Sequence, residues 1–161
     1  MTKEKTYDQI LNMMARLCST AEHSSFDIRN RLTKAGLSPD DAEKAIRYLV
    51  KEKYIDDSRF AIAFCHDKLR YYSWGKVKIA QSLRLQRIDD CDVRSALDSI
   101  DDTEYTEILT KILTQKNRTV KDSDPYTRKA KLARFAVGKG FETALVLEIT
   151  NKLVGAASRF E

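Results

Sequence analysis

The chain has 161 residues, 33% of them charged, with a formal net charge of +5 and only five Gly and two Pro. No window approaches the ~20 apolar residues of a membrane span, and the widely spaced Cys18, Cys65 and Cys91 make neither a disulfide framework nor a Cys-x-x-Cys pair. What remains is a helical chain with few tight turns, expected in the reducing cytoplasm and basic enough to meet an acidic protein face or nucleic acid. Its opening residues, Met1 to Lys5, have no apolar run behind them.

Tyr7, Ile10, Leu11, Met14 and Leu17 recur at spacings of three and four, which predicts a helix over 6–18. The polar run from Ser19 to Ser25 ends it. A second helix follows on Phe26, Ile28 and Leu32 and stops at Ala35-Gly36, where glycine takes a left-handed cap. Ser38-Pro39-Asp40-Asp41 then reads as an N-cap, a proline at the first helical position and an acid three residues on. Ala42, Ala45, Ile46, Leu49 and Val50 continue that third helix. After Lys53-Tyr54-Ile55, Asp56 and Asp57 are cap candidates for a fourth helix, with Phe60, Ala61 and Phe64 as its apolar stripe. Lys68, Arg70, Tyr71, Tyr72 and Trp74 crowd together before Gly75.

The same grammar returns twice. Ile28-x3-Leu32-x3-Gly36-Leu37 aligns with Ile79-x3-Leu83-x3-Arg87-Ile88, and that with Leu132-x3-Ala136-x3-Gly140-Phe141. Ala45 and Leu49 correspond to Ala96 and Ile100 and to Ile149 and Leu153, and Asp89 stands where Ser38 does. Tyr105, Ile108, Leu109, Ile112 and Leu113 mark a seventh helix. A polar stretch, Thr114 to Asp124, is the longest loop candidate, and Asp124-Pro125 restarts a chain whose last two helices run to about Ser158. The expectation is an all-α fold of three tandem three-helix repeats, 1–56, 57–102 and 103–161, forming one elongated, curved, solenoid-like stack. The apolar eighth helix (Leu132, Ala133, Phe135, Ala136, Val137) is expected to bury itself against the ninth.

An enzyme is not expected. His23 sits in a polar linker, and adjacent Cys65 and His66 point different ways on a helix, so no metal set forms. Capping explains Asp56-Asp57 and Asp101-Asp102 more cheaply than acid–base work, and there is no glycine-rich phosphate loop. Neither a cofactor nor a metal is expected. The positive sign is charge segregation. From His66 to Arg87 there are six bases (Lys68, Arg70, Lys76, Lys78, Arg84, Arg87) against Asp67. From Asp89 to Glu107 there are eight acids against Arg94, and from Lys116 to Lys139 eight bases against Asp122 and Asp124. Tyr71, Tyr72 and Trp74 read either as a hydrophobic seam between repeats or as an aromatic platform for a partner or for unpaired bases.

The junction Tyr54-Ile55-Asp56-Asp57-Ser58-Arg59-Phe60-Ala61, then Gly75-Lys76-Val77-Lys78-Ile79 with Leu83, then Arg134-Phe135-x4-Gly140-Phe141, together resemble the RecX family of RecA regulators over about residues 7–154. Arg87, where that family often has glycine, and Lys76, where it often has proline, are departures that bear on turn geometry. The resemblance implies a stack that lies in the groove of the RecA–DNA filament, bridges neighbouring protomers, and so blocks strand exchange, ATP hydrolysis and co-protease function in DNA repair and the SOS response, or promotes filament disassembly; a monomer is expected. Residues expected to meet the partner or DNA are Lys68, Arg70, Tyr72, Trp74, Lys76, Lys78, Arg84, Arg87, Arg128, Lys129, Lys131 and Arg134. A second reading is a chain that binds single- or double-stranded DNA weakly and without sequence preference, and a third is a repeat scaffold for some other protein.

Overall fold

The computed structural model describes residues 4–158; residues 1–3 and 159–161, which the outer repeats and the opening stretch named above include, lie outside the described residues. Among the described residues there are nine helices and no strand: α1 (Tyr7–Thr20), α2 (Ser25–Lys34), α3 (Pro39–Lys51), α4 (Asp57–Tyr72), α5 (Lys76–Leu85), α6 (Asp90–Asp98), α7 (Asp102–Thr119), α8 (Pro125–Gly138) and α9 (Thr143–Ser158). None is long and apolar enough to cross a membrane.

The caps follow from the sequence. Thr6 and Gln9 close a reciprocal capping box on α1, and the side chains of Ser24, Ser38, Asp101 and Asp124 each accept the amide three residues on. Asp56 does the same for α4, accepting from the Arg59 amide at 3.1 Å. Asp57 instead accepts from the Ser25 amide at 2.7 Å and the Ser25 hydroxyl at 2.6 Å, tying the start of α2 to the start of α4.

The chain divides into two compact units. One takes the chain up to Ala63 together with Leu83–Ser95, and the other takes Phe64–Ser82 together with the chain from Ala96 onward. In the first, Ile10, Met14 and Cys18 of α1 form one core with Ile28 and Leu32 of α2, with Ala42, Ala45, Ile46 and Leu49 of α3, and with Ile55. In the second, α7, α8 and α9 pack on one another and bury Leu109, Leu113, Leu132, Ala136 and Val146 completely. Each such leucine contributes roughly 1.5–3 kcal/mol.

The second helix of each triplet ends the same way. Gly36, Arg87 and Gly140 take φ of +109°, +58° and +99°. The next amide, of Leu37, Ile88 or Phe141, then bonds back to the carbonyl of Leu32, Leu83 or Ala136 at 3.1–3.2 Å. Arg87 therefore keeps the left-handed turn without glycine.

Two expectations are corrected. α7 continues through the supposed loop as far as Thr119, because a side chain from α8 holds its end, as described below. Tyr71 and Tyr72 are not a seam: they are 78% and 56% exposed. On α8, Leu132 and Ala136 are buried as expected, while Val137 faces out at 41% exposure.

Candidate partner-binding surface

Three segments of the second unit build one corner: the end of α4, the start of α5 and the α8–α9 turn. Ser73, at φ +53°, ends α4, and the Trp74 amide returns to the Lys68 carbonyl at 3.1 Å. That reversal sets the Trp74 ring 6.4 Å from both Phe64, edge-on, and Tyr72. The Lys68 ammonium lies 4.4 Å from the Tyr72 centroid, 4.9 Å from Trp74 and 5.4 Å from Phe64, while Lys78 sits 4.4 Å over Trp74. Each contact of this kind is worth about 0.5–1 kcal/mol at an exposed site and fixes where the charge points.

The start of α5 is held by tertiary partners. A helix leaves its first amides without acceptors, and here Gly75 donates to the Lys139 carbonyl at 2.9 Å, Lys76 to the Tyr105 hydroxyl at 3.0 Å and Val77 to the Gly140 carbonyl at 2.9 Å. The backbones meet so closely that a Cβ on Gly75 would lie 2.2 Å from the Phe141 nitrogen, and one on Gly140 would lie 2.3 Å from the Lys78 Cβ. The lysine at position 76 thus supplies an amide that a proline would lack. Tyr105, 3% exposed, donates its hydroxyl proton to Glu142 and stacks on Phe141 at 5.2 Å. Burial, and then the carboxylate, push its phenol pKa up. Lys139 closes the corner by donating to the Tyr72 carbonyl at 2.7 Å.

The expected partner residues separate into groups. Lys68, Arg70, Tyr72, Trp74, Lys76 and Lys78 fall in this second unit, Arg84 and Arg87 in the first. Arg70 is bonded through two nitrogens to Glu104 (2.7 and 3.2 Å), whose carboxyl pKa that bond lowers; Lys76 lies 3.9 Å from Asp102 and over the Tyr105 ring. Lys68 and Lys78 have aromatic neighbours and no carboxylate partner among the described residues. Arg84 pairs with Asp90 at 3.3 Å, and Arg87 covers the Phe26 ring at 5.2 Å.

On α8, Arg128 is a clamp. Its guanidinium donates to the Asn117 carbonyl and side chain at 2.8 and 2.7 Å and to the Val120 carbonyl at 3.0 Å. Those bonds keep α7 helical past Thr114. Lys129 is half-buried, and Lys131 pairs with Asp122. Lys131 and Arg134 line a cleft of about 500 Å³ with Lys116, Lys121 and Phe135. Sequence reasoning left Tyr105, Glu142, Lys139 and this cleft unassigned, because each works through a partner distant in the chain.

Comparison with known proteins agrees with the repeated fold. The second three-helix domain of RecX matches residues 56–97 and the third matches residues 102–149, together more than half of the chain. A regulatory protein RecX from Clostridium perfringens strain SM101 is 26% identical over 157 residues, covering 94% of this chain and 73% of that protein. Another, from Chlorobium limicola, is 25% identical over 138 residues, covering 86% of this chain and 85% of that protein. The crystal structure of RecX from Lactobacillus salivarius has the same fold, with a TM-score of 0.81 at 20% identity over 91% of this chain and 96% of that one. With its helix triplets, their shared turns and these matches taken together, the chain belongs to the RecX family of regulatory proteins.

Proposed function

We propose that this protein binds the RecA–DNA filament in the cytoplasm as a monomer and restrains recombination, ATP hydrolysis and co-protease function. Membership in a family of regulatory proteins carries the reading. The charge pattern supports a protein partner over sequence readout. In a helix-turn-helix module the N-terminal residues of the last helix meet the DNA. Here those positions are acidic in the first two triplets, Asp40 and Asp41 on α3 and Asp90 and Asp92 on α6, while the first turn of α9, from Thr143 to Val146, carries no charge at all. Carboxylates there repel phosphates. The cations Lys68 and Lys78 lie instead around Trp74, where they would set encounter rate and register with an acidic recombinase surface. Three three-helix repeats bounded near residues 56 and 102 would offer several contacts on one chain, which add through effective concentration.

The test is ATP hydrolysis by preformed recombinase filaments on single-stranded DNA, with this protein added at far below one copy per recombinase. Inhibition at that ratio is expected, through filament ends or growth. No inhibition at equal ratios by a fully helical protein overturns the reading. Replacing Lys76, Lys78 and Arg84 together by Glu is expected to weaken inhibition at unchanged helicity.

A further inference from the structure

We propose that the cleft between the end of α7 and the outer face of α8 binds the phosphodiester backbone of a single-stranded nucleic acid. Four cations, Lys116, Lys121, Lys131 and Arg134, line it around Phe135, with Thr119 and Val120 completing the wall and no carboxylate in the lining. Asp122 pairs with Lys131 from outside that lining, so the cleft keeps a clear positive excess. Lys121 and Arg134 are exposed and have no carboxylate partner among the described residues.

The end of a helix ordinarily repels an anion, because its free carbonyls are the negative pole of the macrodipole. Here that pole is masked. Arg128 takes the carbonyls of Asn117 and Val120, and the Val120 amide and the Thr119 hydroxyl both bond the Lys116 carbonyl, at 3.2 and 2.9 Å. The same bonds hold the segment after α7 in place, so the cations are arranged before any ligand arrives. Lys116 is positioned as well, its ammonium 5.1 Å over the Phe135 ring.

Size and chemistry select the ligand. About 500 Å³ lies within the roughly 300–1,000 Å³ of ligand-holding clefts. That volume takes a nucleotide-sized unit with its base, whereas a duplex, its bases stacked inside, could offer the cleft only its phosphates. A flexible strand brings one phosphate per nucleotide to adjacent cations, and the Thr119 hydroxyl and the Phe135 edge offer a polar and an apolar contact to sugar or base. A peptide carboxylate would fill little of the space. The site needs no second protein, so it stands or falls apart from the recombinase reading.

The experiment is fluorescence anisotropy of a labelled oligothymidylate with the full chain and no recombinase, over about 50 to 200 mM salt. Binding should weaken with salt at a log–log slope of about −2 to −3, as three or four neutralised phosphates of a single strand require. Lys121→Ala with Arg134→Ala should make that slope shallower by about 1.4 and lower affinity about tenfold or more. Arg134→Lys alone should keep the slope. Absence of binding by the parent chain at low salt overturns the proposal, as does an unchanged slope in the double variant. So does equal competition by oligoglutamate of matched charge, or by inorganic triphosphate, which would make the cleft a general anion site. Both alanines replace exposed side chains, so far-UV circular dichroism should be unaltered.

Discussion

The Tyr105 hydroxyl accepts the backbone amide of Lys76 at 3.0 Å while donating its own proton to Glu142. One phenol thus satisfies the first turn of α5 and a carboxylate at the start of α9. Tyr105→Phe leaves both groups without their partner in a half-buried setting, and should cost about 1–3 kcal/mol in urea unfolding. A loss below the scatter of the measurement would mean that water replaces the hydroxyl.

Glycines sort by what lies next to them. Gly36→Ala meets open space and pays for its positive φ alone, about 1 kcal/mol. Gly75→Ala and Gly140→Ala push a Cβ into backbone atoms or Lys78 and should be far worse, to the point of unfolding the corner. Gly138→Ala, at the end of α8 with nothing within 4 Å, should raise stability by about 0.5–1 kcal/mol. Thermal unfolding of the four variants gives the order directly, and Gly140→Ala matching Gly36→Ala would refute the close approach.

Alkali should destabilise the fold. Burial pushes the Cys65 thiol from 9.0 up to about 12, and Tyr105 is raised as well. Both groups stay neutral when folded and ionise earlier when unfolded, so the unfolded state loses protons first. Their contribution is complete below the ordinary thiol value and falls away as pH rises from about 9 toward 12. Cys65→Ala should start less stable yet lose stability more gradually across that range; parallel curves for variant and parent would contradict it.

Of the three thiols, Cys91 is exposed while Cys18 and Cys65 are buried. A maleimide should therefore label the native protein once, at Cys91, with the other two reacting after denaturation. Rapid labelling of all three under native conditions would show that the cores open readily.

Much of the fold is legible in the sequence because its determinants are local. Ser38-Pro39, Asp101 and Asp124-Pro125 announce helices through bonds three residues long, and the Leu32, Leu83 and Ala136 turns repeat at recognisable spacing. The true end of α7 is not legible, since Thr114 to Thr119 is a polar run that stays helical through Arg128, eight to eleven residues on. Nor is the role of Asp57, whose partner Ser25 is 32 residues away. The candidate surface is half legible. Composition marks the cations as a block, but which of them are already paired, as Arg70 is with Glu104, depends on contacts 34 residues apart. Arg87 shows the converse: the turn survives without glycine because the residue is exposed, with room for its side chain to lie over the Phe26 ring.

Trp74 is the single tryptophan of the chain, and two lysine ammoniums rest on its ring. Excited at the red edge, beyond the absorption of the seven tyrosines, the intrinsic emission of the protein therefore comes from one spot. A partner seated at the end of α4 must displace or dehydrate those charges and shift the indole spectrum, whereas a strand held in the α7–α8 cleft leaves it as it was. An unlabelled sample thus carries its own optical gauge of which surface has been occupied.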